Sequence, residues 1–476
     1  MRVGFAERDI TPSAGMEQPG GYQKAFHDGN VHDPCKVRAG VFDDGVNCVA
    51  LVGVDVAMIP RGLVLEAREG ILEQCGIPAD AVMIGASHTH SGGPTVMVQP
   101  GEYDHASDAV QWLAYEQSSC ADPEYLEIVR HAIVGAVVEA YGTREEVQAN
   151  VGSGCEGQAV FNRRIRMKNG RTYTHPGKDN PNSVEFAGPI DPEVGVIGVW
   201  DLEGQLLGCV VNYACHGTTG PGGSSADWIY YMEWVIRGAL GDDVVVVFLN
   251  GACGDVTQID NMNPRGVDQG EDASRCLGMR VGAEALKVLV TAPRGDLTPV
   301  ASRSDVLQLP RRKPTAERVQ RSMDIIQTGA VGSMGWLFAK EILLLDALLQ
   351  REPVVDVEIQ AIQIGPAVFL SNSGELFCQL GLDIKSGSPF PMTFPVELAN
   401  GSVGYIPTKD AFSVHGGGYE TRLTAYSNLP IDAGQRVVEA SITIARSMEP
   451  GTPPQTSEAQ SWVGEWEDGS VPPELA

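Results

Sequence analysis

Val82-Met-Ile-Gly-Ala-Ser-His-Thr-His-Ser-Gly-Gly-Pro94 decides how the rest of the chain is read. Its first half is an apolar run of the length of a buried strand, and its second half turns polar and Gly-rich at once. In extended chain, residues i and i+2 share a face, so His88 and His90 are expected to project side by side from the strand's C-terminal end. In α/β sheets that edge is where ligands sit. Two imidazoles there suit a metal ligand beside an acid–base group. The alternative is a pair of hydrogen-bonded structural histidines, and the spacing alone does not choose between them.

Three further apolar runs end in the same manner. Leu207–Ala214 leads into Cys215-His216-Gly-Thr-Thr219, Val244–Leu249 into Asn250-Gly-Ala-Cys-Gly-Asp-Val-Thr257, and Ala367–Leu370 into Ser371-Asn-Ser-Gly-Glu375. Glycine lets a backbone turn sharply and approach a ligand closely. Strands ending in His, His, Asp and Glu suggest one shared site. Taken singly, Asp255 reads equally as a turn or helix cap, and Glu375 as a carboxylate at a helix N-terminus.

Around these runs the chain alternates strand-like and helix-like stretches. Cys48–Val56 is an apolar run with one acid, Asp55, near its end. Helical spacing covers Arg61–Glu73, Pro123–Tyr141, Trp228–Leu240 and Ala273–Leu289, and a long helical region is expected over Ala316–Gln350. Gly195–Asp201 and Gln205–Ala214 read as a hairpin around Glu203-Gly204. The pattern predicts an α/β fold: a layered mixed sheet core with helices packed on it, and a metal site at the C-terminal ends of strands. Residues 89–122 and 164–192 are rich in Gly, Pro, Ser and Asp and are expected to be long loops that form the site.

Composition narrows the function. Lys+Arg is 34 against Asp+Glu 61, a formal net charge of −27, which repels phosphate backbones and anionic lipid headgroups. No nucleic acid and no membrane surface is expected as partner, and a small-molecule substrate remains. No secretory signal is visible in Met1–Pro12, and no run reaches the roughly 18–20 apolar residues of a membrane helix, so a cytoplasmic protein is expected. The 10 cysteines stand singly, without a C-x-x-C pair. They read as reduced thiols, so imidazole and oxygen must hold any metal.

Together the motifs resemble those of the neutral ceramidase family, zinc-dependent amidases that split N-acyl sphingosine. The family's D-I-T is similar to Arg8-Asp-Ile-Thr-Pro12, and its T-H-T-H-S-G-P to Ser87–Pro94, with one extra Gly. Its N-R-S looks like Asn162-Arg163-Arg164. Its H-x-T-S and S-A-D are similar to His216-Gly-Thr-Thr219 and Ser225-Ala-Asp227, its G-D-V-S to Gly254–Thr257, and its P-G-E to Ser373-Gly-Glu375. The G-Y-x-x-T and Tyr-Glu motifs correspond to Gly404-Tyr405-Ile-Pro-Thr408 and Tyr419-Glu420. The order is preserved along the chain.

The resemblance implies a hydrolase with one Zn2+ per chain, held by His88, His216, Glu375 and Tyr405 with a water in the open position. Zinc lowers the pKa of such a water from 15.7 toward about 7, which gives a nucleophile for the carbonyl of an amide. By the same correspondence His90, Arg163 and Tyr419 line the reacting centre: Arg163 and Tyr419 as donors to the carbonyl oxygen, His90 as the acid for the leaving group. Residues 1–449 are then expected to form the catalytic domain and 450–476 a polar acidic tail, without the family's C-terminal β-sandwich. Thr257 replaces the family's Ser, and its extra methyl favours water over a covalent route. With neither signal nor membrane-docking segment visible, a soluble N-acyl compound is expected as substrate in place of ceramide. Esters or lactones cleaved by the same site, or a non-catalytic ligand-binding relative, are the alternatives.

Overall fold

Three sheets share one construction. In each, antiparallel strands run to a final parallel pair, and because parallel neighbours need a crossover, a helix bridges that pair. The computed structural model describes residues 1–21, 23–456 and 473–475. In the first sheet Arg2–Asp9, Lys36–Asp43 and Cys48–Val54 are antiparallel. Val82–Ala86 then pairs parallel to Cys48–Val54 after the helix Arg61–Cys75. In the second, Gln148–Cys155, Glu193–Trp200 and Leu206–Tyr213 are antiparallel, and Val245–Asn250 adds parallel after the helix Trp228–Leu240. In the third, Val300–Pro310, Val354–Ile364 and Ala367–Ser371 are antiparallel. Met392–Val396 closes it in parallel after the helix Cys378–Gly387.

The parallel strands are buried along their length, which is why they read as unbroken apolar runs. The first two sheets approach closely where these strands end: a Cβ on Gly53 would lie 2.4 Å from the Phe248 carbonyl oxygen, so only glycine fits there. Pro123–Gly142 covers the first sheet, with Asp122 capping its first turn through the amides of Glu124 and Tyr125. Trp228–Leu240 and Glu271–Thr291 pack together beside the second sheet. Among the described residues no helix is long and apolar enough to cross a membrane. All ten cysteines are free thiols.

The mixed α/β architecture is as the sequence predicts, and the differences have local causes. The helical region Ala316–Gln350 is two helices, Ala316–Thr328 and Met334–Leu348. Gly329 and Gly332 interrupt it, Gly332 in the left-handed region at φ 81°, and Ser333 caps the second helix. Residues 164–192 are more than a loop, since Arg164–Met167, Thr172–Thr174 and Ser183–Phe186 form a small antiparallel sheet. Residues 89–122 carry the helix Asp108–Tyr115. The expected tail lies mostly outside the described residues, but its start is tied to the body, with Gly451 donating its amide to the Gly365 carbonyl.

Candidate functional site

The parallel pairs converge, and their C-terminal ends deliver the polar groups. Val82–Ala86 is followed by His88, Leu206–Tyr213 by His216, and Ala367–Ser371 by Glu375, each 1–2% exposed. His88 and His90 do end side by side, their Nε2 atoms 3.5 Å apart, but not because the strand continues. His88 stands at φ 64°, so the chain leaves the strand there and Thr89 bridges to Gly217 instead.

The geometry fixes how the imidazoles face. His88 Nδ1 lies 2.7 Å from the Ala57 carbonyl, so it donates and Nε2 keeps its lone pair. That lone pair faces Glu375 Oε2 at 3.4 Å, and His216 Nε2 lies 3.2 Å from the same oxygen. Glu375 Oε2 nonetheless has no aligned hydrogen bond, while its other oxygen accepts from the Tyr426 hydroxyl at 2.6 Å. Burial, reinforced by Arg163 and His88, keeps His216 neutral. Burial and His88 lower His90 to about 3. His88, His90 and His216 present ligand atoms within 4.8 Å of one another. Imidazole nitrogens beside a buried carboxylate oxygen without an aligned hydrogen bond form a donor set suited to a divalent cation.

Arg163 lies across this cluster. Its Nη1 donates to His216 Nε2 at 2.9 Å and its Nη2 to the Tyr405 hydroxyl at 3.1 Å, so a cation at His216 would have to take that lone pair from the guanidinium. Its Nε is held by Glu420 Oε1 at 3.0 Å. Tyr405 packs against Tyr419, ring centroids 5.8 Å apart. Burial above all pushes Tyr419 up to about 12, so its hydroxyl keeps its proton. All seven residues expected at the site, His88, His90, Arg163, His216, Glu375, Tyr405 and Tyr419, line one cleft of about 780 Å³.

Other residues of the motifs serve the frame. Asp255 accepts from the Cys378 amide and from Asn162 Nδ2, both at 2.8 Å, which makes it the helix-end carboxylate. Thr257 lines the cleft, but its hydroxyl accepts from the Ile259 amide at 3.3 Å. Asp227 caps Trp228–Leu240, and Asp9 accepts from the Thr11 amide at 2.7 Å in a turn. The sequence reading assigned no role to the supports: Glu420 behind Arg163, Tyr426 behind Glu375, and Cys253, whose Sγ lies 3.4 Å from His216 Nδ1 and donates to Glu397 at 2.9 Å. Glu420 was within reach, adjoining Tyr419; the others carry no sequence signal, because their partners lie 37–144 residues away.

The fold has solved counterparts. The crystal structure of neutral ceramidase from Pseudomonas aeruginosa superposes with a TM-score of 0.68 at 18% identity, over 96% of this chain and 76% of that one. The chain has the neutral ceramidase fold. A ceramidase complexed with C2 matches equally, TM-score 0.68 at 18% identity, over 97% of this chain and 77% of that one. In sequence, the neutral ceramidase of Pseudomonas aeruginosa is 24% identical over 347 residues, 70% of this chain. The match spans about half of that relative, 48% of its length. No protein-family model matches the chain. The resemblance to neutral ceramidases read from the motifs is borne out.

Proposed function

We propose that the protein is a zinc-dependent hydrolase of the amide bond in a soluble N-acyl compound, with the ion held by His88, His216, Glu375 and Tyr405. The observation that carries this reading is the confrontation of His88 Nε2 with Glu375 Oε2, 3.4 Å apart. One is a lone pair fixed by the Ala57 carbonyl behind it; the other is a buried oxygen without an aligned hydrogen bond. Two buried acceptors facing each other are costly unless a cation lies between them. The likeness to neutral ceramidases supports amide hydrolysis as the reaction.

When bound, zinc supplies Lewis acidity and renders water nucleophilic at neutral pH. The chain's own residues do the rest. Arg163, locked by Glu420, and Tyr419, still protonated, donate toward the carbonyl oxygen as charge develops on it. His90 rests neutral, so it accepts a proton before it can return one to the leaving nitrogen. Its Nδ1 lies against Gly20, with which it makes a backbone hydrogen bond, and this leaves Nε2 for the cleft.

Metal analysis of the purified protein, followed by an activity screen, tests the reading. One zinc per chain is expected, with most of it lost in His216→Ala and in Glu375→Ala. The loaded protein is expected to turn over a short or polar N-acyl amide and to leave long-chain ceramide in detergent nearly untouched. Zinc undiminished in both variants sinks the ligand assignment. Turnover of esters or lactones alone moves the reaction class, and ceramide turnover at ordinary rates of about 1–10³ s⁻¹ overturns the substrate reading.

A further inference from the structure

The cleft is lined by two unlike sets of side chains. Met58, Met97, Met334 and Phe338 offer apolar contact. His175, Lys178, Asn261, Asp268 and Gln269 offer hydrogen bonds. The polar set forms a unit of two hydrogen-bonded pairs on one wall, His175–Asn261 and Lys178–Asp268, the first anchored to the reacting centre. His175 donates its amide to the Arg163 carbonyl at 3.0 Å. Asn261 Nδ2 donates to His175 Nδ1 at 3.3 Å and approaches the Ile259 carbonyl at 3.4 Å. Lys178 is paired with Asp268, and Gln258 ties the Thr218 and Asp268 carbonyls together at 3.0 and 2.9 Å.

These bonds determine what remains for a ligand. The Ile259 carbonyl can only accept, so the Asn261 amide must point its nitrogen there and its Oδ1 elsewhere. With Nδ1 accepting from Asn261, a neutral His175 carries its proton on Nε2. Asn261 is only 2% exposed, yet among the described residues its Oδ1 makes no hydrogen bond, and neither does the exposed Gln269 side chain. The wall thus presents an unpartnered acceptor on a buried side chain, a neighbouring N–H donor, and an ion pair whose charges cancel. A hydroxyl both donates and accepts, so adjacent hydroxyls satisfy that pattern. A carboxylate would bring acceptors against Asn261 Oδ1 and Asp268, and an alkyl group would strip water from the Asn261 oxygen without replacing its hydrogen bond.

We propose that this unit is a subsite for a hydroxyl-bearing part of the substrate, a polyol or sugar-like ring, with Asn261 Oδ1 and His175 Nε2 as its principal contacts. The proposal rests on the amidase reading for the bond cleaved, but not for the binding itself. A site built to hydrogen-bond hydroxyls rejects an analogue that lacks them far more strongly than a hydrophobic site rejects an added one.

The test compares N-acetylglucosamine with N-acetylcyclohexylamine, two amides with six-membered rings that differ chiefly in their hydroxyls, on the zinc-loaded protein. Dissociation constants by NMR titration and turnover are measured separately. The hydroxylated ring is expected to bind at least about 100-fold tighter, Asn261→Leu to remove most of that preference, and Gln269→Ala to lower it about threefold. Gln269 makes no bond within the protein among the described residues, so its replacement reports on the subsite even where Asn261→Leu unfolds the loop. Equal binding of the two rings, binding of neither, or a preference that survives both substitutions overturns the subsite. Preferred binding without hydrolysis of either amide leaves the subsite standing and removes the amidase reading instead.

Discussion

His88, His216 and Glu375 stand at the ends of strands and are all but inaccessible, at 1–2% exposure, whereas His90 and His175 on loops and Tyr419 on a single 3-10 turn are half-buried. The strand-end groups are placed by sheet ladders and by close contact between sheets, so their separations follow from the fold. These groups each depend on one or two side-chain or backbone contacts: Gly20 beside His90, Tyr405 beside Tyr419, Asn261 beside His175. The contrast implies a division of labour. Rigid positions suit holding an ion, which needs fixed donors, and loop positions suit groups that exchange protons or meet the substrate.

The sharpest way to break this division is His90→Ala. If His90 moves protons, turnover falls about 10²–10⁴-fold while zinc content stays at wild type. The three histidines present their ligand atoms within 4.8 Å of one another, so His90 also stands near enough to be a ligand. Zinc lost in that variant would transfer His90 to the holding group and erase the contrast.

A smaller effect is expected for Tyr426→Phe. Its hydroxyl donates to Glu375 Oε1 at 2.6 Å and so orients the carboxylate that faces the histidines. Partners of this kind contribute about 10–100-fold to metal affinity, and zinc competition against a chelator should show a loss in that range. A variant that binds zinc as tightly as wild type would show that the strand end alone fixes Glu375.

Thr257→Ala should matter least. The hydroxyl already accepts from the Ile259 amide, and with the flanking histidines assigned elsewhere only His90 remains to activate it. At least about a tenth of kcat should survive, a barrier change under about 1.4 kcal/mol. A trapped acyl-threonine, or a loss matching the zinc-ligand variants with metal retained, would make this residue the nucleophile.

What the sequence determined by itself was local. Unbroken apolar runs gave the buried strands, because a strand covered on both faces cannot alternate. Helix ends are local as well: Asp122 caps the first turn of Pro123–Gly142 and Gly76 closes Arg61–Cys75 in the left-handed conformation, chemistry that involves only neighbours in the chain. The order of the short motifs was enough to point to neutral ceramidases. Local signals also misled. Periodicity ran through Gly329 and Gly332 as if the helix continued, and His88 and His90 met through a left-handed turn, not through an extended strand.

Only the tertiary structure decided which strand ends share a site. Asp255 and Glu375 look alike in sequence, each an acid after a Gly at the end of an apolar run. One accepts from a helix amide and Asn162, while the other faces two histidines. The same holds for Glu420, Tyr426 and Asn261, whose partners lie 51–257 residues away in the chain. The physical reason is that a hydrogen bond or an ion pair depends on distance in space. Across three separate sheets that distance is set by how their faces and parallel edges pack, which no window of sequence contains.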